Sequence, residues 1–144
     1  MAQSIFEQYM PRLSGDILPK ESIGRALSLA DKLDNLSATF LRGLIPTGSQ
    51  DPFALRRQTI GAVNILTDGK IHWDIRRGIA KALELLPGEQ EVKDKVLSQV
   101  EDFFRQRIRA ILLDNGIAYD IIDAVLAGPV DDIYAIFLKA QDMT

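Results

Sequence analysis

From about Glu21 to Arg42 the chain carries apolar side chains at helical spacing, uninterrupted by proline. Set about 100° apart, Ile23, Ala26, Leu27, Leu29, Ala30, Leu33, Leu36, Phe40 and Leu41 fill one broad face, while Arg25, Ser28, Lys32, Asn35, Thr39 and Arg42 fill the opposite one. So wide a face needs several other elements to cover it. No later segment shows the sustained period-two alternation of a half-buried strand. The pattern therefore predicts an all-α fold, an irregular bundle of about six to seven helices.

The remaining helices follow from their stops and starts. Ser4–Leu13 reads as a short helix broken at Pro11. Pro46, Gly48 and Ser49 form a tight loop, Asp51 is placed to N-cap, and Pro52 suits a first helical turn, so a helix is expected over Pro52–Leu66. Its apolar residues lie on nearly every side, which argues for a central, buried position. Its one polar stripe carries Arg57 and Asn64, with Gly61 beside them allowing close backbone approach. Thr67-Asp68-Gly69-Lys70 ends it. Asp74 caps a further helix to about Leu86, stopped by Pro87-Gly88. The longest helix runs from about Glu89 to Asp114 and ends at Asn115-Gly116. Two short ones, about Tyr119–Ala127 and Asp131–Gln141, flank Gly128-Pro129. Leu86–Gln90 is a weak linker candidate, and no internal repeat or low-complexity tract is visible.

Composition narrows the chemistry. The 144 residues suit one domain with a modest core. No apolar run approaches a membrane span, and no signal peptide is recognisable at the start. Cysteine is absent, so disulfides and thiolate metal sites are excluded. With 17 basic and 20 acidic residues and a net charge of −3, nucleic-acid affinity would have to come from a local basic patch. No phosphate-binding glycine loop, nucleophile elbow or zinc spacing occurs, and no catalytic residue is expected.

Several charges fall where a core should be. Asp34 points into the apolar arc of its helix, and Arg107 lies amid Val92, Val96, Leu97, Val100, Phe103, Phe104, Ile108 and Ile111. Inward charges survive when paired, since removing one partner of a buried pair costs ~3–5 kcal/mol. One account is an internal network of Asp34, Arg57, Arg107 and Asp123, with a mostly buried Asp34–Arg57 contact. Another turns one of Arg56 or Arg57 outward to an RNA phosphate. Adjacent helical residues diverge, so both can hold, and Arg56 is then the outward candidate. Arg105 and Arg109 share one helix face, with Arg76 and Arg77 nearby in sequence. These read as a solvated face or a phosphate-facing strip. Asp120 and Asp123 read as cap and ion-pair residues, with Arg107 a candidate partner, and His72 beside Trp73 as a packed turn.

A resemblance adds to this. PTGSQDPFALRR at Pro46–Arg57, with LADKLDNL at Leu29–Leu36, YMPRLSGDILP at Tyr9–Pro19, FFRQRIRAILLDNG at Phe103–Gly116 and YDIIDAVLAG at Tyr119–Gly128, resembles the β subunit of the bacterial two-subunit glycyl-tRNA synthetase. That subunit is several times longer, so the resemblance implies a fragment of its C-terminal half. Residues 1–43 would be the end of an HD-like helical domain, and 44–144 the helical region leading towards the anticodon-binding domain, together one compact unit. It implies a cytoplasmic aminoacyl-tRNA ligase of class II whose partners are the α subunit, tRNA(Gly) and the remainder of the β subunit, with no membrane. ATP and Mg²⁺ would serve the holoenzyme, with no cofactor in this fragment. The fragment itself would be a non-catalytic scaffold and tRNA-contact element, with Arg56, Arg76, Arg77, Arg105 and Arg109 as tRNA-binding candidates. LADKLDNL also resembles a late helix of HD-type phosphohydrolases, with Asp31 matching their metal-site aspartate; the histidines of such a site would lie upstream. A degenerate phosphohydrolase and a purely structural inter-domain module remain alternatives.

Overall fold

A computed structural model describes residues 20–144. The helix expected over Ser4–Leu13 lies outside the described residues. Six helices follow in order: α1 Lys20–Leu41, α2 Leu55–Asp68, α3 Ile75–Glu84, α4 Gln90–Asp114, α5 Tyr119–Val125 and α6 Ile133–Asp142. No strand occurs among the described residues, so the all-α reading holds.

Helix α1 packs against α2, α3 and α4, and α4 in turn touches α1, α2, α3 and α5. Leu29, Leu33, Leu36 and Phe40 descend one face of α1 and are fully buried or nearly so. They meet Val63 and Leu66 of α2, Ile75 and Ile79 of α3, and Val100, Phe104 and Ile108 of α4 in one continuous core. Burying side chains of this size stabilises by about 1.5–3 kcal/mol each relative to exposure. Phe40 and Phe103 meet edge to face with centroids 5.2 Å apart, fixing α1 against α4.

The expected central position of α2 is not what forms. Leu55, Thr59, Ala62, Val63 and Leu66 face inward, while Arg57, Ile60 and Asn64 lie exposed on the other side. An exposed isoleucine made the helix look apolar all round; α1 and α4 hold the centre instead. Helix α2 also starts later than Pro52. Pro52 and Phe53 form a turn closed by the Ala54 N–H donating to Asp51 O (3.1 Å), and Ala54 takes a left-handed conformation (φ 54°). This geometry lets the Asp51 carboxylate accept from both Leu55 N (2.8 Å) and Arg56 N (2.9 Å). Two orphan donors are thereby satisfied from four and five residues upstream.

The other caps follow the sequence. Asp74 accepts from Arg77 N at the start of α3, and Asp132 from Ala135 N at the start of α6. Between them the chain pairs briefly with itself, Ile75 N donating to Asp131 O at 2.9 Å. Gly78 is required by packing: a Cβ there would lie 2.5 Å from the Trp73 indole and 3.0 Å from Leu33 Cδ1. Trp73 is thus clamped between the turn before α3 and the face of α1.

Candidate functional site: a buried carboxylate and two outward arginines

The charge that matters most in the interior is Glu101, which the sequence reading passed over. It sits on α4 among buried neighbours and is 8% exposed. Its Oε1 accepts from Arg76 Nε of α3 at 2.6 Å; Oε2 accepts from Arg105 Nη2 at 3.1 Å and from the backbone Val130 N–H at 2.9 Å. Arg105 reaches further, donating to Leu126 O (3.3 Å) and Gly128 O (3.0 Å), and pairs with Asp102. One carboxylate therefore ties α3 and α4 to the turn between α5 and α6. The signal was present: in helical projection Glu101 lies about 20° from Ile108 and about 40° from Leu97, inside the apolar arc.

Lys93 was missed for the same reason. It is buried, and its ammonium donates to Leu86 O, satisfying a carbonyl just beyond the end of α3.

The expected network of Asp34, Arg57, Arg107 and Asp123 does not form. Arg57 is exposed on the outer stripe of α2, pointing away from α1, so no Asp34–Arg57 contact exists. The phasing that grouped Arg57 with Asn64 was right; that stripe faces solvent. Asp34 is half-buried and its Oδ1 has no hydrogen-bond partner among the described residues. Burial raises its pKa above the ordinary 3.8, and the Asp31 carboxylate one turn earlier pushes the same way. Arg107 leans over the Phe103 ring, 5.9 Å from its centroid, with a buried Nε lacking a partner among the described residues. Asp123 pairs with Arg109 (2.9 Å) instead of Arg107, linking α5 to α4. The seam between α1 and α2 is closed by neutral groups: Asn35 Nδ2 donates to Gln58 Oε1 at 3.1 Å, and the Lys32 stem lies over Gly61.

The arginine candidates separate accordingly. Arg76 and Arg105 are held by Glu101, and Arg109 by Asp123. Arg56 is half-buried and lies 4.0 Å from Asp51. Arg57 and Arg77 are exposed, and neither guanidinium has an ion-pair partner among the described residues. The roles of Arg56 and Arg57 are thus exchanged relative to expectation. One turn before Arg57, Phe53 is 50% exposed, and Leu44 across the loop is 47% exposed.

Asp31 is exposed on α1, and among the described residues no group of three or more histidine or carboxylate side chains converges as a metal site would need. His72 packs its ring against Tyr134 (centroids 4.8 Å apart), with Nδ1 2.8 Å from Asp132 Oδ2. No described helix is long and apolar enough to cross a membrane.

Comparison with known proteins gives this frame a lineage. The model of the family described as glycyl-tRNA synthetase beta subunit matches residues 1–127. The glycine–tRNA ligase beta subunit of Clostridioides difficile (strain 630) is 43% identical over 143 residues, covering 99% of this chain and 21% of that protein. The beta subunit of Desulforamulus reducens is 44% identical over 136 residues (92% of this chain, 20% of the relative), and that of Alteromonas mediterranea 41% over 127 residues (88% and 18%). The chain spans about a fifth of the length of these curated relatives. With the family's model matched over most of its residues, this all-α chain belongs to the glycyl-tRNA synthetase beta subunit family.

Proposed function

We propose that the chain serves ATP-dependent glycylation of tRNA as a non-catalytic part of a glycine–tRNA ligase β subunit, a scaffold that also touches tRNA. Its place is in the C-terminal half of that subunit, between an HD-like helical domain and the anticodon-binding part. The class II core with its ATP and Mg²⁺ belongs to the α subunit, and the remaining β subunit and tRNA(Gly) are the other partners, in the cytoplasm. The observation that carries the tRNA contact is the division among the arginines. Four of the six weighed are held by carboxylates of the chain itself, whereas Arg57 and Arg77 are exposed and have no ion-pair partner among the described residues. A solvent-facing guanidinium is suited to a phosphate oxygen.

Such contacts are phosphate-directed, so binding is weak and falls steeply with salt. Titration of labelled tRNA at low and moderate salt tests this. The double variant Arg57→Glu/Arg77→Glu is expected to weaken binding at least tenfold at low salt and to flatten the salt slope. Unchanged affinity in that variant, or tight binding indifferent to salt, would remove the proposed contact. A complete absence of tRNA binding would favour the purely structural module. The chain alone is expected to give no glycine-dependent ATP–pyrophosphate exchange; exchange above a protein-free control would overturn its non-catalytic role.

A further inference from the structure

The ends of α2, α4 and α6 enclose an open groove of about 390 Å³. Ile111 and Phe137 line its apolar wall, and Tyr134 stands beside them. Around the opening are Asn64 and Asp68 of α2, Asn115 beyond α4, and Gln141 of α6. These four side chains make no hydrogen bond or ion pair among the described residues. Among the described residues no lysine or arginine lines the groove, and the one formal charge is the Asp68 carboxylate.

That chemistry excludes an anionic occupant, phosphate included, because Asp68 would repel it with no cation to answer. It suits a neutral ring that can lie against an aromatic wall and offer several hydrogen-bonding atoms at its edge. The volume falls in the range of small-molecule sites. Resting on the tRNA-contact reading above, we infer that the groove receives one unstacked RNA base, held against Tyr134 and Phe137 and read by Asp68 and the surrounding amides. A carboxylate accepts from exocyclic amino groups, and a side-chain amide matches a ring acceptor beside an amino donor. Cytosine, adenine and guanine, each with an exocyclic amino group, therefore fit, and uracil, with a carbonyl where cytosine has its amino group, does not. The phosphate contacts of Arg57 and Arg77 supply sequence-tolerant affinity, and the groove supplies base preference.

The test uses end-labelled heptamers of cytidine, adenosine and uridine with the 144-residue chain, read by fluorescence anisotropy. The cytidine and adenosine heptamers are expected to bind about tenfold more tightly than the uridine heptamer. Asp68→Ala and Tyr134→Leu should each abolish the difference while leaving the salt slope unchanged. Asp68 is exposed at the last residue of its helix, so its variant is expected to keep the wild-type melting curve. Equal binding of the three heptamers, or a preference that survives Asp68→Ala, overturns the groove and leaves the phosphate contact standing. Binding of none of them, with tRNA binding also absent, overturns both. Protection of the groove in the complex with the rest of the ligase, without RNA, would make it a protein-docking surface and overturn the base site.

Discussion

The junction of α3, α4 and the 126–131 turn treats charge in one way, and the α1–α2 seam with its 42–54 loop in another. At the junction, Glu101 is nearly buried but accepts from two arginines and a backbone N–H, and Arg105 spends its remaining donors on two carbonyls. On α1, Asp34 enters the surface of the core with one oxygen unpartnered among the described residues; in the loop and the start of α2, Ala54 sits left-handed and Phe53 and Arg57 face water. The first region has its polar groups satisfied within the chain, which makes it a fastening. The second leaves apolar and cationic groups free, the condition a region must meet to contact anything else. Stability should therefore concentrate in the first region and binding in the second.

The sharpest way to break that division is Glu101→Ala. It strands Arg76, Arg105 and Val130 N–H at once and should cost about 3 kcal/mol in a urea melt, whereas Glu101→Gln, which keeps an acceptor, should cost less. A loss below ~1 kcal/mol would mean that hydrophobic contacts alone hold the junction. Next come the arginines as a matched pair. Arg76→Ala should cost about 1–2 kcal/mol because Glu101 is mostly buried, and Arg57→Ala close to nothing. In tRNA titrations the order should reverse, Arg57→Ala weakening binding more than Arg76→Ala. A third variant acts on the loop itself. Ala54 bears the strain of φ 54°, so Ala54→Gly should raise stability by about 0.5 kcal/mol, the relief exceeding the extra unfolded-chain entropy. A drop in stability instead would show that the loop needs the alanine methyl.

These regions also differed in how far the sequence revealed them. Helix α1, the caps at Asp74 and the stop at Pro87-Gly88 rest on local spacing and turn chemistry, and they formed close to where the pattern put them. The start of α2 did not, because a turn using Pro52 and Phe53 satisfies two backbone donors through Asp51, and propensity at Pro52 cannot reveal that. The inward charges were readable as inward, but not their partners. Arg57 was assigned to Asp34 because the loop between them is short, yet short loops fix which helices are neighbours and not which stripe faces the neighbour. Glu101 could have been found from its place in the apolar arc. Arg105, four residues on along the same helix, could have been found with it, but Val130 and Arg76, 29 and 25 residues away along the chain, could not.

The smallest expected effect concerns the unpartnered carboxylate of α1. Burial holds the Asp34 pKa above its ordinary 3.8, helped by Asp31. A carboxyl whose pKa is raised on folding binds its proton more tightly in the folded state than in the unfolded one. Between 3.8 and the raised value the folded chain therefore carries more protons, and stability falls as pH rises through that window. Below it the group is neutral in both states and carries no penalty; at pH near 7 the penalty is complete. Asp34→Asn removes the charge while keeping the shape, so it should be more stable than the parent at neutral pH, by less than ~1 kcal/mol because the group is only half-buried. The difference should shrink to nothing as the pH falls through the window. Urea melts of the two proteins at neutral and acidic pH measure it, and effects of the other carboxylates cancel in the subtraction. If Asp34→Asn is instead destabilised at neutral pH, the Asp34 carboxylate has a favourable partner, and α1 carries a second fastening of the kind Glu101 makes.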